Sequence, residues 1–154
     1  MKTKKTKLST PELIAIIRER SAEYFNSLSV SMTAPEKVYE FIEAALFNPE
    51  KEEFAVLFLD SKRHITGFQK LFEGTINCSS VFPREIAKAC LINNATAAII
   101  AHNHPGGSTK PSAEDIKVTD EVKAALQTLD IRLSDHLIIS APGSTSSMQE
   151  MGLF

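Results

Sequence analysis

The chain has few cysteines and no hydrophobic run long enough to cross a membrane. Its two cysteines, Cys78 and Cys90, form neither a Cys-x-x-Cys pair nor a disulfide pattern, and isolated thiols are typical of the reducing cytoplasm. No apolar stretch approaches the roughly 20 residues of a transmembrane helix. The N-terminal lysines are not followed by the apolar segment of a secretion signal. We therefore expect a cytoplasmic protein without a membrane partner.

An excess of positive charge is also missing. The 17 lysines and arginines are balanced by 19 acidic residues, so the formal net charge is −2. This balance provides no global attraction for nucleic acid. The exception is the start of the chain, where Lys2, Lys4, Lys5 and Lys7 form a run that is typical of a solvated, disordered tail. A weak association with nucleic acid through this tail remains open.

Hydrophobic patterning predicts an α/β domain with a mixed central sheet flanked by helices. We expect a helical segment over residues 1–32, with a disordered basic start, and one domain over residues 33–154. Residues 54–59 are all apolar, which indicates a strand covered on both faces. The predicted elements, in chain order, are helices at 9–26 and 33–47, strands at 53–60, 65–72 and 75–77, a helix at 83–91, a strand at 96–101, a helix after 112, and strands at 131–140 and 145–148.

The most informative stretch follows the predicted strand at 96–101. His102 and His104 are two residues apart, so both imidazoles lie on the same side of an extended chain. After a Pro-Gly-Gly turn, Ser112 begins an amphipathic helix that carries Asp115 in its first turn. Two imidazole nitrogens and a carboxylate oxygen that converge, with a fourth position open, would form a catalytic zinc site.

Each of these features also has a simpler structural explanation. His-x-His pairs occur on solvated strand faces, and Ser112-x-x-Asp115 matches a capping box. The combination is more specific, because His-x-His, seven residues and Ser-x-x-Asp follow one another without a gap. This pattern resembles the JAMM (MPN-type) zinc-hydrolase motif. The longer phrase His-Asn-His-Pro-x-Gly, followed by Pro111-Ser112-x-x-Asp115, resembles the RadC branch of that superfamily.

The resemblance to RadC runs from about Thr33 to Phe154. Full-length RadC proteins carry a helix-hairpin-helix segment ahead of this domain, which is linked to DNA association. We expect residues 1–32 to be too short for that segment, so the chain would be a short form in which a DNA-repair role is the least supported implication. The other matching pieces are Phe54-Ala55-Val56-Leu57-Phe58-Leu59-Asp60, Phe72-x-Gly74-Thr75, Pro83-Arg84-Glu85-Ile86, Asp135-His136-Leu137-Ile138-Ile139 and Gly152-Leu153-Phe154.

The resemblance implies a three-layer, cytidine-deaminase-like architecture and a metallopeptidase mechanism. His102, His104 and Asp115 would bind Zn²⁺, whose coordinated water would attack a peptide or isopeptide bond. Ser112 would stabilise the tetrahedral oxyanion, an effect worth roughly 3 kcal/mol. The substrate would be an unidentified peptide or protein.

The superfamily also implies a general-base glutamate at the start of the first long strand. Comparison with RadC proteins indicates Glu52, whereas direct comparison with the JAMM hydrolases indicates Glu53. Neighbours on a strand point to opposite faces, so only one of them can reach the metal. We favour Glu52, and the interpretation that both are solvated acids at the start of a strand remains open.

Three further polar residues have undecided roles. His136 follows an acid on a predicted strand, which favours a structural residue over a neighbour of the metal site. His64 is expected to be exposed in a turn. Arg84 would either bind a substrate carboxylate or support the helix that contains Glu85.

Two other functions remain open. One is an accessory protein in DNA repair or another DNA transaction, with a structural or inactive metal site. The other is a hydrolase of nucleic-acid phosphodiesters, although one three-ligand site without a second carboxylate cluster argues against two-metal nuclease chemistry. A homodimer is equally undecided.

Overall fold

The computed structural model describes residues 12, 16, 35–74, 81–141 and 144–154. The three continuous ranges contain three helices and five strands. In chain order they are α1 (Pro35–Leu46), β1 (Glu52–Leu59), β2 (Ile65–Gly74), α2 (Pro83–Ile92), β3 (Ala97–Asn103), α3 (Ala113–Gln127), β4 (Arg132–Ala141) and β5 (Ser144–Ser147).

The five strands form one mixed sheet in the order β2-β1-β3-β4-β5. β1 pairs antiparallel with β2 and with β3, and β5 pairs antiparallel with β4. β3 and β4 run parallel and are connected through α3. The carboxyl end of β3, the central strand, is therefore flanked by β1 on one side and by β4 on the other. The mixed α/β sheet predicted from the sequence is confirmed.

Different helices cover the two faces of this sheet, because side chains alternate along each strand. α1 packs on one face, which we call the α1 face, and α2 and α3 pack on the other, which we call the α3 face. β1 and β3 are buried along nearly their whole length, as expected of strands covered on both sides. Core residues on the α1 face include Phe41, Ile42, Leu57 and Ile99, and those on the α3 face include Phe54, Val56, Ile100, Val122 and Leu126.

Most predicted elements match the described structure. In the helix predicted at 33–47, the apolar residues that recur at helical spacing are all buried: Val38, Phe41, Ile42, Ala45 and Leu46. The strand predicted at 96–101 extends to Asn103, so His102 lies inside the paired strand rather than after it. The helix predicted after 112 ends at Gln127, so Leu129 follows it and is 39% exposed.

Some predictions fall on other parts of the chain. The basic start, the strand at 75–77 and the Pro142-Gly143 turn lie outside the described residues, and of the helix at 9–26 only Glu12 and Ile16, both helical, are described. No helix in the described part of the chain is long and apolar enough to span a membrane.

Candidate metal centre

Two histidines project from the carboxyl end of β3. His102 is 2% exposed and pairs with Phe54 on β1 and Ile138 on β4. His104 follows the strand, and its backbone N–H donates to the carbonyl oxygen of Ile139 at 2.6 Å. This hydrogen bond keeps the chain extended beyond the last paired residue. The two imidazoles therefore leave the same face of the sheet, the α3 face.

The chain then reverses and returns as α3, which brings Asp115 back to the histidines. Gly107 has a φ of 89°, and its N–H donates to the His104 carbonyl at 3.1 Å. The Ser112 hydroxyl caps α3 by accepting from the Asp115 N–H at 3.1 Å, and the Asp115 carboxylate accepts from the Ser112 N–H at 2.7 Å. The capping box anticipated from the sequence is thus present. It also directs the Asp115 carboxylate toward β3.

The structure brings His102, His104 and Asp115 together, with their ligand atoms within 4.8 Å of one another. His102 Nε2 is 2.8 Å from His104 Nε2 and 3.1 Å from Asp115 Oδ1. His104 Nε2 is 3.4 Å from Asp115 Oδ2. Ligand atoms of a tetrahedral zinc ion lie about 3.3 Å apart, given metal–ligand bonds of about 2.0–2.1 Å. The donor set therefore fits a small divalent cation, and the described residues offer no second group of this kind.

The charges of these side chains also suit a cation. Burial would raise the pKa of Asp115, but hydrogen bonds from His102 and His104 outweigh it and hold that pKa well below its usual range. The hydrogen bond to Asp115 raises the pKa of His104, against the opposing effect of burial. Asp115 is consequently an ionised carboxylate at neutral pH. A metal ion would compete with a proton on His104 for the same nitrogen.

A cavity of about 320 Å³ opens onto the three side chains. A second cavity of about 740 Å³ shares the lining residues Glu52 and Gly106 with it, so the two are adjacent. The first is lined by Glu52, His102, His104, Gly106, Ser108, Ser112, Glu114 and Asp115.

Glu52 and Glu53 lie on opposite faces of β1. Glu52 lines the smaller cavity together with His102. The Glu53 side chain is only 3% exposed, and it accepts hydrogen bonds from the Lys70 ammonium and, at 2.9 Å, from the Asn48 amide. Glu53 is thus engaged in a partly buried ion pair with Lys70, whose side chain is 30% exposed, away from the two histidines.

Asn103 lies between the two histidines in sequence and binds the segment that precedes β1. Its amide nitrogen donates to the carbonyl oxygens of Asn48 and Lys51, at 2.8 and 2.9 Å. Its amide oxygen accepts from the Glu53 N–H at 2.6 Å. These three bonds fasten the start of β1 to the end of β3. They fix the point from which Glu52 projects, a role that the sequence does not reveal.

His136 lies beside the candidate metal ligands, although the sequence favours a purely structural role for it. Its ring is fully buried, with Nε2 at 2.8 Å from His102 Nδ1 and Nδ1 at 2.6 Å from Thr119 Oγ1. Burial holds the pKa of His136 well below its usual value, and the charge of His102 acts in the same direction. The ring is therefore neutral. In the sequence, Thr119 could have been found from its position four residues after Asp115, which places both on the same face of the predicted helix.

Arg84 and His64 lie away from this group. The Arg84 guanidinium is 3.3 Å from the Glu85 carboxylate and stacks over the Phe82 ring, 5.5 Å from its centroid. His64 is partly exposed and lies 3.2 Å from the Asp60 carboxylate. Neither side chain lines the cavity described above.

The five-stranded mixed sheet, with helices on both faces, defines the class of protein: an α/β domain with a JAB (MPN-like) fold. A possible His/His/Asp metal-binding group lies at the carboxyl end of its central strand. The chain belongs to the RadC family, since the model of the RadC-like JAB domain matches residues 32–153. The resemblance stated from the sequence is confirmed.

Relatives from several bacteria are similar over most of this chain. The chain is 45% identical over 120 residues to a UPF0758 protein of Methylibium petroleiphilum and 45% identical over 118 residues to one of a Marinomonas species. It is 40% identical over 145 residues to a UPF0758 protein of Acidovorax ebreus. These matches cover 78%, 77% and 92% of this chain, but 54%, 52% and 60% of the three relatives. The chain thus spans between about half and three fifths of their length.

Proposed function

We propose that the protein is a cytoplasmic, zinc-dependent hydrolase of the JAMM type that cleaves a peptide or isopeptide bond. The observation that carries this proposal is the convergence of His102, His104 and Asp115 on a cavity that Glu52 also lines. Three protein ligands leave one position of a tetrahedral ion for water or substrate, which is typical of catalytic rather than structural zinc. Bound zinc would supply a water molecule whose pKa is lowered from about 15.7 toward roughly 7.

Glu52 acts as the general base in this proposal. It accepts a proton from the attacking water and passes it to the leaving amine. The three hydrogen bonds of Asn103 support this role, because they hold the start of β1 against the strand that carries His102. Glu53 is unsuited to the role, since its carboxylate is engaged by Lys70 on the opposite face.

Ser112 is proposed to donate a hydrogen bond to the oxyanion of the tetrahedral intermediate. Its hydroxyl lines the same cavity and donates to Asp115 Oδ2 at 2.7 Å. A rotation of the hydroxyl would redirect that hydrogen toward a bound carbonyl oxygen. Loss of one such donor typically costs about 3 kcal/mol of transition-state stabilisation.

The charge around the cavities favours a peptide over a nucleic acid. The charged side chains that line the two adjacent cavities are mainly acidic. They include one lysine, Lys51, and five acids: Glu50, Glu52, Glu73, Glu114 and Asp115. Carboxylates would repel the phosphates of a nucleic-acid backbone. A peptide backbone carries no such charge.

The test compares Glu52→Gln with Glu53→Gln in the zinc-loaded protein. A peptide and isopeptide library is screened with and without chelator, at a temperature at which both variants are folded. We expect the wild type to cleave a substrate only without chelator, Glu52→Gln to retain zinc but lose turnover, and Glu53→Gln to retain both. Full turnover in both variants would refute the assignment of the base. A wild type that binds zinc but cleaves nothing in the library would favour the accessory-protein interpretation.

A further inference from the structure

We propose that His136 and Thr119 are positioning residues that determine which ring nitrogen of His102 is available to a metal ion. The proposal rests on the metal site proposed above and does not depend on hydrolysis. It follows from a chain of buried hydrogen bonds that begins and ends at the metal ligands.

The chain of hydrogen bonds connects three elements of the fold. His102 on β3 contacts His136 on β4 through Nδ1 and Nε2, at 2.8 Å. His136 Nδ1 is 2.6 Å from the hydroxyl of Thr119 on α3, and this hydroxyl donates to the Asp115 backbone carbonyl at 2.6 Å. His102, Thr119 and His136 are 2%, 1% and 0% exposed, so bulk water cannot replace a missing partner.

The direction of each hydrogen bond follows from the Asp115 carbonyl, which can only accept. The Thr119 hydroxyl has one hydrogen and donates it to this oxygen, so Oγ1 accepts from the His136 Nδ1–H. His136 is 0% exposed and its two ring nitrogens contact a hydroxyl and a second imidazole, so the uncharged ring has a single N–H and its Nε2 accepts from the His102 Nδ1–H. When His102 is neutral, as metal binding requires, its Nε2 then carries the lone pair. That nitrogen is the atom that faces His104 and Asp115.

The opposite direction would be incompatible with metal binding. If Thr119 donated to His136, then His136 would donate to His102 Nδ1, and the single proton of His102 would lie on Nε2. That proton would point at the metal position, and the bond from Thr119 to the Asp115 carbonyl would be lost. The weak contact of Thr119 with the Met148 sulfur, at 3.5 Å, does not alter this, because sulfur would also act as an acceptor.

His104 shows the same arrangement in a simpler form. Its Nδ1 is 2.7 Å from the Ser108 carbonyl oxygen, which can only accept, so its Nε2 is also the nitrogen with a lone pair. Both histidines are therefore oriented through Nδ1–H, as is usual for metal-binding histidines. The difference is that the Nδ1 of His102, which is 2% exposed, faces His136 and not a loop carbonyl. Its partner is a neutral histidine, which needs Thr119 to fix its own tautomer.

The first experiment compares removal of the relay with its conservative replacement. Thr119→Val retains the shape of the side chain without the hydroxyl, and Thr119→Ser retains the hydroxyl. His136→Leu removes the acceptor, whereas His136→Gln can still accept from His102 and donate to Thr119. We expect zinc affinity, measured by chelator competition on folded protein, to fall 10- to 100-fold in Thr119→Val and His136→Leu. It should stay within about threefold of wild type in Thr119→Ser and His136→Gln.

The second experiment measures the tautomer of His136 directly by long-range ¹H–¹⁵N NMR of the ring nitrogens. We expect a neutral Nδ1–H ring in wild type and Thr119→Ser, and loss of this preference in Thr119→Val. An Nε2–H ring in wild type, or unchanged zinc affinity in Thr119→Val, would overturn the proposal. So would a wild type that binds no zinc. Failure of hydrolysis with these zinc affinities intact would refute only the proposed enzyme activity.

Discussion

Two polar clusters lie at the same end of the sheet, on opposite faces, and similar residues serve opposite purposes in them. In the Glu53 cluster, formed by Glu53, Lys70, Asn48 and Asn103, hydrogen-bond donors meet acceptors. In the metal cluster, formed by His102, His104 and Asp115, three electron-pair donors approach one another to between 2.8 and 3.4 Å. The first cluster is complete within the protein, and the second gains from a cation. Complementarity of charge, rather than burial, separates the stabilising cluster from the candidate binding site.

The two clusters are interleaved along the same two strands. Glu52 and Glu53 alternate at the start of β1, and His102 and Asn103 alternate at the end of β3. Because side chains change face at every residue, a register shift of one position would exchange the two clusters. The strand pairing therefore separates them, and substitutions can affect one face while leaving the other intact.

The largest expected effect is loss of the metal from the α3 face. In His102→Ala/His104→Ala, the zinc content should fall from about one ion per chain to near zero, because Asp115 alone cannot hold the ion. His64→Ala removes an imidazole outside the cluster and should retain full occupancy. Metal analysis of the purified proteins measures both. Full zinc occupancy in the double variant would place the site elsewhere.

The next effect concerns the stability of the α1 face. Lys70→Met leaves the Glu53 carboxylate buried without its ammonium partner, and this should lower the free energy of unfolding by about 3 kcal/mol. The matched control is Lys51→Met, which breaks an exposed pair with Glu73 at 2.8 Å and should cost less than about 0.5 kcal/mol. Urea denaturation measures both values. If the free energy of unfolding fell equally in the two variants, burial of Glu53 would not increase the contribution of its ion pair to stability.

Asn103→Ala should have a somewhat smaller effect on stability, again without loss of zinc. The variant loses three hydrogen bonds to backbone groups around the start of β1, and a cost of about 2 kcal/mol is expected. Zinc affinity serves as the internal control, because the amide points away from the metal cluster. A large fall in zinc affinity would contradict the separation of the two faces.

The smallest effect is expected at the helix cap. Ser112→Ala removes the hydroxyl that caps α3 and should cost about 1 kcal/mol of stability. Ser112→Thr retains a hydroxyl and should recover most of that loss. Thermal denaturation of both variants against wild type measures the difference. If the alanine and threonine variants were equally stable, the capping bond to Asp115 would contribute nothing.

Features close together in sequence were predictable from it. The apolar pattern of α1 indicated its buried side correctly, and alternation indicated that Glu52 and Glu53 face opposite ways. The spacing of His102, His104 and Asp115 indicated a common site, because one strand, one turn and one helix start contain all three.

Features that depend on the pairing of distant segments were not predictable. His136 contacts His102 only because β4 pairs in parallel with β3 in one particular register. A single histidine on a predicted strand does not indicate such a contact. Asn103 reaches Asn48 and Lys51 through backbone groups of an irregular segment, where side-chain identity carries little information. Both contacts require the assembled sheet.

The local origin of the metal ligands has a consequence for the order of folding. The strand–turn–helix segment from His102 to Asp115 closes a short loop, and closure of about ten residues takes roughly 10–100 ns with a small entropic cost. Glu52 and His136 join only through strand pairings of much greater sequence separation, which form more slowly. During refolding, a capacity to capture an ion would therefore arise before Glu52, His136 and Thr119 are in place, and a captured ion would favour formation of the remaining strand pairs.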